Sequence, residues 1–321
     1  MRFRRIARCL LIAGLCVYLV SGELWSRHGL ASQMPRIVFS HLGFDNFEIY
    51  VMDADGGNRE NLSNHPVDDM DPDWAPDGTK IAFVSNRHEG VDQIHVMDAD
   101  GKNQIRLTYG PREKRFPDWS PDGGKIAFTV RDAEPHIAVM DANGNNRVRF
   151  EDHATEPSWS PDGGQIAFLS WRDGNHEIYV KDVDGGGLEK VTNGHSPSFS
   201  PDGRGIAYYE GHEGFRHVYV MEANGKNQNR LAQNQGHHSH PAWSPDGETI
   251  AYAVYKDVFF RDAKIHLMTS DGEYIMQLSD NHHGIDYQPD FGPVGVAVSS
   301  TAVSPASKKT TVWGRLKIPF E

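Results

Sequence analysis

The stretch Trp119-Ser120-Pro121-Asp122-Gly123-Gly124-Lys125-Ile126-Ala127-Phe128 decides the fold, because the chain repeats it with small changes. Five copies of the pattern aromatic-(Ser/Ala)-Pro-Asp-Gly begin at Trp74, Trp119, Trp159, Phe199 and Trp243. A degenerate sixth copy begins at Phe291, and successive aromatic residues lie 40 to 48 residues apart. A repeat of this length accommodates four short strands with their turns, so it predicts the blades of a β-propeller.

Each copy predicts two strands and the turn that joins them. A proline two positions before the aromatic residue suits the start of a short strand. Ser-Pro-Asp-Gly suits a tight turn, because proline presets the first dihedral angle and glycine accepts a positive φ. The next stretch, such as Lys80 to Val84, is apolar on both faces, as expected between neighbouring blades. A third strand such as Ile94 to Asp98, and a short polar fourth strand over 103–108, complete the blade.

Six units of second and third strand can be counted, beginning at Ile37, Ile81, Ile126, Ile166, Ile206 and Ile250. The first unit has no proline-aromatic strand before it, whereas the last is followed by an unmatched one, Gln288 to Phe291. We therefore predict an all-β fold, a six-bladed β-propeller of four-stranded blades over residues 36–293. The C-terminal strand completes blade one and closes the ring. The apolar stretch Gly295 to Ser299 resembles another second strand and competes with this closure.

The chain ends are predicted to lie outside the propeller. Residues 1–22 combine a basic start with an apolar run from Cys9 to Val20, the layout of a secretory signal or an uncleaved anchor. Residues 23–35 are a linker and residues 294–321 a C-terminal tail. Cys9 and Cys16 are the two cysteines, so the mature protein has no disulfide. We expect a periplasmic or otherwise exported monomer whose mature form has no membrane span.

The charge of the chain excludes one class of partner. The formal net charge is −12, and the signal contains four arginines and no acid, so its removal takes the charge to −16. Nucleic acid is excluded as a partner because phosphate binding requires a basic surface. The same sign disfavours an anionic membrane surface.

The repeated phrases resemble the WD-like β-propeller repeats of the TolB family of bacterial periplasmic proteins. The resemblance rests on Trp-Ser-Pro-Asp-Gly, Ile-Ala-Phe and Ile-Tyr-Val-Met-Asp-Ala-Asp-Gly, and it covers about residues 36–293. It implies the propeller fold and binding to a protein or another envelope component. TolB has an additional α/β domain before its propeller, and the predicted division of this chain has no counterpart of that domain. The resemblance therefore applies to the propeller part alone.

Two kinds of chemistry are disfavoured by the motifs. The turns at Asp53 to Gly56, Asp98 to Gly101 and Asp182 to Gly185 resemble calcium loops, but the glycine arrives too early for a third oxygen ligand. We interpret them as plain β-turns. A Gly-x-Ser-x-Gly nucleophile motif is absent from the sequence, and so is a Gly-rich phosphate loop.

Histidines gather on one predicted face of the disc. In a four-stranded blade the Ser-Pro-Asp-Gly and Asp-Ala-Asp-Gly turns share one face, and the blade-to-blade loops lie on the other. That other face collects 12 of the 17 histidines: His65, His153, His195, His237, His238, His240, His282, His283, His41, His88, His176 and His212. Either polar loops simply tolerate histidine, or this face binds a ligand at the mouth of the channel.

The candidate binding residues at this mouth are His153, His195, His238, His240, His283, Arg115 and Tyr287. A divalent metal ion such as zinc or manganese is a possible cofactor, with His195, His240 and His283 as its ligands. Histidine titrates near neutral pH, so we expect binding to vary between about pH 5.5 and 7.5. The residue after each inner-strand proline faces the channel, and Asp73, Asp118 and Asp290 fall in neighbouring blades. They could bind a cation or raise one another's pKa values, whereas ordinary hydration is the simpler alternative.

The sequence is compatible with two functions. The first is an exported, non-enzymatic propeller that binds a protein or envelope component through the histidine-rich face. The second is a metal-dependent enzyme of the propeller polysaccharide-lyase type. A lyase requires a general base beside the metal, and Arg115 and Tyr287 are the residues that suggest themselves.

Overall fold

The structure is a computed structural model that describes residues 34–212, 215–231, 236–256, 262–279 and 284–294. The predicted signal, most of the linker and the stretch Gly295 to Ser299 lie outside these residues. Within the described ranges, every regular element is a β-strand, and no helix is long and apolar enough to cross a membrane.

The strands form six antiparallel sheets of four, which confirms the predicted six-bladed propeller. Blade 1 consists of β1 (Arg36–Leu42), β2 (Phe47–Asp53), β3 (Glu60–Asn61) and the C-terminal β24 (Ile285–Phe291). Blade 2 consists of β4 (Asp69–Trp74), β5 (Lys80–Ser85), β6 (Gln93–Asp98) and β7 (Ile105–Arg106). Blade 3 consists of β8 (Glu113–Trp119), β9 (Lys125–Arg131), β10 (His136–Asp141) and β11 (Val148–Asp152).

In the remaining blades, as in blades 2 and 3, successive strands of the chain follow one another from the channel outward. Blade 4 consists of β12 (Ala154–Trp159), β13 (Gln165–Ser170), β14 (Glu177–Asp182) and β15 (Glu189–Asn193). Blade 5 consists of β16 (His195–Phe199), β17 (Gly205–His212), β18 (Phe215–Glu222) and β19 (Asn229–Arg230). Blade 6 consists of β20 (His237–Trp243), β21 (Thr249–Tyr255), β22 (Ala263–Thr269) and β23 (Tyr274–Gln277).

The last strand closes the ring. Strand β24 pairs with β1, so the final strand of the chain is the innermost strand of blade 1. Asp286 on β24 is fully buried, and its Oδ1 lies 2.6 Å from His41 Nδ1 and 2.9 Å from Arg59 Nη2. Burial alone would raise the pKa of Asp286, but hydrogen bonds from His41 and Arg59 lower it below its usual value. An ion cluster thus joins the two ends of the described chain.

The turns follow from the repeated phrase. In the blade 3 copy, the Gly123 N–H donates to Ser120 O (2.8 Å), and Asp122 Oδ1 accepts from Ser120 Oγ (2.6 Å) and Gly124 N–H (2.9 Å). Gly123 has φ +69°, the conformation for which glycine is favoured. The Asp98 to Gly101 segment is likewise closed by a hydrogen bond from Gly101 N–H to Asp98 O (2.8 Å), as in a β-turn.

The core is divided among the interfaces between blades. Trp159, which is 8% exposed, packs with Ile166 and Phe168 of its own blade and with Ile137 and Val139 of blade 3. Each repeated aromatic residue therefore joins two sheets, which explains why the second strands are apolar on both faces.

Candidate functional site at the channel mouth

The channel mouth on the histidine-rich face is formed by six residues, one from each blade, each directly before an inner-strand proline. We call them the mouth residues, and they are Asp71, Phe116, Glu156, Ser196, His240 and Gln288. All six have a left-handed backbone with φ between 45° and 54°. Each inner strand also shifts register at this point, as in a β-bulge. A bulge redirects a side chain, and the mouth residues line a central cavity of about 140 Å³.

One side of the mouth is ionic. Arg115 Nε donates to Asp71 Oδ2 at 2.6 Å, and Arg115 Nη1 lies 3.1 Å from Asp92 Oδ2. Gln288 Nε2 donates to Asp71 Oδ1 at 2.5 Å. Burial alone would raise the pKa of Asp71, but the charge and hydrogen bonds of Arg115 lower it. Asp71 is therefore a carboxylate at neutral pH, and Arg115 is held between two acids.

Glu156 is a carboxylate of a different kind. Its Oε2 accepts hydrogen bonds from Ser196 N–H (2.8 Å) and Ser196 Oγ (3.0 Å). Its side chain has no salt-bridge partner within the described part of the chain, although it lines the central cavity. Burial raises the pKa of Glu156, and the Ser196 hydrogen bonds oppose that rise. The mouth thus presents one carboxyl group that forms no salt bridge with a cation among the described residues.

The other side of the mouth is aromatic. A series of ring contacts, which we call the aromatic arc, connects blades 4, 5, 6 and 1. Its centroid distances are His176–His195 4.6 Å, His195–Tyr209 5.0 Å, Tyr209–His240 6.0 Å, His240–Tyr287 6.1 Å and Tyr287–Phe47 5.4 Å. Burial lowers the pKa values of His195 and His240 to about 4. Both rings are therefore neutral at pH 7, and the expected pH dependence moves to more acidic values than those predicted.

The predicted binding residues fall into four groups, of which the last is His238 alone. His240 is a mouth residue, and His195, Arg115 and Tyr287 each directly precede one in the chain; the binding role of all four stays a prediction. His153 is exposed, and its carbonyl oxygen accepts from Ser170 Oγ at 2.6 Å. His283 lies outside the described residues.

His238 requires a correction. It is fully buried, with its ring centroid 5.4 Å from that of His217 and 5.4 Å from that of Tyr252. Its side chain points into the packed sheets because strand residues alternate between opposite faces. It is therefore a core residue and cannot contact a partner directly.

The metal hypothesis gains no support from the described ranges, where no group of three His, Cys, Asp or Glu side chains is arranged to hold a metal ion. Tyr209 lies between two members of the predicted trio, His195 and His240, and contacts both rings. Because His283 lies outside the described residues, the trio as a whole stays a prediction.

The channel aspartates have a structural partner that the sequence analysis did not foresee. Each accepts a backbone hydrogen bond from the aromatic residue of the next blade: Trp74 N–H to Asp290 (2.8 Å), Trp119 N–H to Asp73 (2.7 Å) and Trp159 N–H to Asp118 (2.7 Å). Burial raises all three pKa values, to about 8 for Asp118 and about 7 for Asp290, and neighbouring carboxylates add to the rise at Asp73 and Asp118. The cluster therefore holds protons at neutral pH.

The mouth residues that sequence reasoning missed are Asp71, Phe116, Glu156, Ser196 and Gln288. A signal for them exists in the sequence. The repeats agree at the proline, the aromatic residue and the turn, but the position before the proline carries a different residue type in blades 1 to 6. The fold is the same in every blade, so a position whose residue type differs between blades indicates a role other than building the fold.

The propeller repeats match the model of a known protein family. The model described as the TolB beta propeller domain matches residues 32–148, 113–195 and 194–303, which together cover most of the chain. The chain belongs to the TolB β-propeller domain family. No curated protein sequence matches this TolB-type propeller.

Solved structures agree on the fold. TolB from Acinetobacter baumannii is similar with 24% identity and a TM-score of 0.71, over 81% of this chain and 67% of that chain. A putative TolB from Agrobacterium tumefaciens is similar with 20% identity and a TM-score of 0.65, over 82% of this chain and 100% of that chain. A chain of a Nidogen/Laminin complex reaches a TM-score of 0.65 at 10% identity, over 81% of this chain and 98% of that chain. At these identities the likeness shows the fold alone.

Proposed function

We propose that this TolB-type propeller is a non-enzymatic binding protein that holds a protein or another envelope component at its channel mouth. The observation that carries the proposal is the contrast between the two faces. The turn face repeats the same Pro-Asp-Gly chemistry, whereas the mouth residues differ from blade to blade and line a cavity. Binding residues are commonly carried on variable positions of a rigid scaffold.

The mouth is suited to a partner that combines apolar and charged groups. The aromatic arc presents rings on one side, and Arg115 with its two acids forms a fixed charge pattern on the other. Aromatic side chains and arginine are enriched at protein interfaces, because they bury large areas and fix orientation. A protein segment presenting both kinds of group fits this surface best.

The location of the protein is part of the same proposal. The basic and apolar segment 1–22 has the layout of an export signal, and the family resemblance points to the periplasm. We expect the exported form to act as a monomer. Cell fractionation of the full chain, followed by sequencing of its mature N-terminus, tests this expectation. A full-length chain found in the cytoplasm would contradict it.

The test of the binding face compares two triple variants. His195→Asn, His240→Asn and Glu156→Gln alter the mouth without adding bulk, and asparagine tolerates the left-handed backbone of residue 240. Asp55→Asn, Asp100→Asn and Asp184→Asn make matched changes on the turn face. Both variants are used as affinity baits in envelope extract beside the wild type, and their thermal unfolding is recorded.

We expect the mouth variant to lose the partners that the wild type captures, while its melting temperature stays near that of the wild type. The turn-face variant is expected to keep those partners. If the turn-face variant loses them and the mouth variant retains them, the binding face has been assigned to the wrong side. No observation within the described residues favours the polysaccharide-lyase alternative.

A further inference from the structure

A second concave site lies between blades 2 and 3, away from the mouth residues. It has a volume of about 390 Å³, and the polar and charged side chains that line it are Tyr109, Arg112, Lys114, His136, Arg147 and Arg149. No aspartate or glutamate is among the residues that line it. A pocket lined by four cationic side chains is unexpected in a chain whose net charge is −12.

The strand register explains why these groups meet. Lys114 on β8 is paired with Val130 on β9, and Val130 is paired with His136 on β10. Residues directly opposite one another in a sheet share a face. This face of blade 3 packs on blade 2 through Val130 and Ala138, and the basic side chains lie at the edge of that packing.

Lys114 is the least expected member of the group. It is 2% exposed, and its Nζ donates to the carbonyl oxygens of Tyr109 (3.0 Å) and Arg112 (2.6 Å). It forms no ion pair in the described part of the chain. Burial lowers the pKa of Lys114 to about 8, and the charges of Arg147, Arg106 and Arg112 add to this effect. A buried ammonium group without a counter-ion is costly, and a bound anion would stabilise it.

Neighbouring acids compensate only part of the positive charge of this pocket. Arg112 Nη1 lies 2.7 Å from Asp132 Oδ2, and Arg149 pairs with Asp152. Arg147 is exposed and makes no ion pair within the described ranges. His136 is 7% exposed, and its Nδ1 faces Asp132 Oδ2 at 3.9 Å. Among the described residues, Lys114 and Arg147 are thus the two cations of the pocket that remain without an acid partner and are available to a ligand.

We propose that this pocket binds a phosphate group, carried either by a small soluble anion or by a lipid headgroup. A phosphate offers several charged oxygens, and arginine and lysine are the side chains that bind such groups best. The volume leaves room for a glycerol or sugar beside the phosphate. Tyr109, 65% exposed at the rim, carries the Arg106 guanidinium 4.6 Å from its ring centroid and adds a surface for that portion.

The test is calorimetric titration of the full chain with inorganic phosphate and with glycerol 3-phosphate, using acetate as the carboxylate control. Co-sedimentation with phosphatidylglycerol vesicles, against phosphatidylcholine vesicles, covers the lipid source. Arg147→Gln removes an exposed charge that makes no ion pair in the described structure, and Lys114→Met removes the buried charge at similar length. Arg204→Gln, at an 88% exposed arginine of the turn face, is the matched control.

We expect the wild type to bind phosphate. Its affinity for phosphate should fall about tenfold in Arg147→Gln, be lost in Lys114→Met and stay unchanged in Arg204→Gln. Raising the ionic strength from about 0.01 M to about 0.15 M should weaken it, since the Debye length falls from about 30 Å to about 8 Å. Tighter binding of glycerol 3-phosphate supports a soluble ligand, whereas Arg147-dependent sedimentation with phosphatidylglycerol supports a lipid. The proposal is overturned if no phosphate-bearing probe binds, if acetate binds as tightly, or if both pocket variants bind like the wild type.

Discussion

Replacing Trp159 with alanine is expected to lower the free energy of unfolding by about 3 to 5 kcal/mol. Trp159 is 8% exposed and packs between blades 3 and 4. A buried tryptophan removes about 150 to 250 Å² from water, which at about 25 cal/mol per Å² is about 4 to 6 kcal/mol. Alanine retains a small part of that burial, so the transfer estimate and the range measured for similar substitutions agree.

Trp159→Phe supplies the matched control. Phe199 occupies the corresponding position of the next blade, so phenylalanine is compatible with this place in the fold. The indole N–H of Trp159 is buried and has no hydrogen-bond partner, so phenylalanine forfeits no hydrogen bond. We expect Trp159→Phe to cost about 1 kcal/mol, because only part of the ring volume is lost.

Urea unfolding monitored by circular dichroism measures both variants, with refolding checked for reversibility. If the midpoint of the urea transition shifts and the dependence of the unfolding free energy on urea concentration does not, stability alone has changed. The reasoning is refuted if Trp159→Ala costs less than about 1 kcal/mol, the usual limit for surface changes. It is also refuted if Trp159→Phe costs as much as Trp159→Ala.

Three further predictions concern closure, titration and a turn. Asp286→Ala should lower the free energy of urea unfolding by about 3 to 5 kcal/mol, because the Arg59 side chain, which is 13% exposed, is left without its acid. A loss near zero would show that the ion cluster does not stabilise the closure. Asp118 has a folded-state pKa raised to about 8, so its contribution to stability is greatest at acidic pH and is lost as pH rises through that value. Between pH 5 and pH 8, the free energy of unfolding of Asp118→Asn should therefore rise relative to that of the wild type by at least about 1 kcal/mol, about the free energy of one pKa unit. Parallel curves of stability against pH for the two proteins would contradict this. Gly101→Ala should destabilise by more than about 1 kcal/mol, because a Cβ there would lie 2.5 Å from Leu62 O, whereas Gly90→Ala meets nothing within 4 Å and should cost less in the same melt.

The fold could be predicted because its determinants are local and repeated. Proline, aspartate and glycine set the turn within a few residues, and Trp119 and its counterparts recur at each interface between blades. The closure by β24 was also predictable, since an unmatched first unit and an unmatched last strand complete each other. The burial of His238 was not, because the sequence placed it in a loop, whereas His237 and His238 both begin the inner strand β20 and are buried.

The site was predictable only in part, for a geometric reason. His240 was identified at the mouth, but His195 lies one position earlier in its own strand, and Ser196 is the mouth residue of blade 5. The difference arises from the bulge before each proline, which turns one residue out of the strand alternation. Neither the bulge nor the left-handed φ follows from a propensity, because residues as different as Phe116 and Glu156 adopt it.

The six bulges have a consequence for protein engineering. Each mouth residue leaves its sheet beside a proline that holds the backbone, and its side chain lies outside the apolar clusters between blades, where Asp71, Glu156 and Gln288 add hydrogen bonds from blade to blade. A library randomised at these six positions alone would therefore change the recognition surface on a constant scaffold, as antibody loops do on theirs. Glycine, asparagine and aspartate would be enriched among well-folded members because they tolerate a positive φ best. If binders with unaltered melting temperatures can be selected from such a library, this propeller would serve, like an antibody domain, as a scaffold for engineered binding.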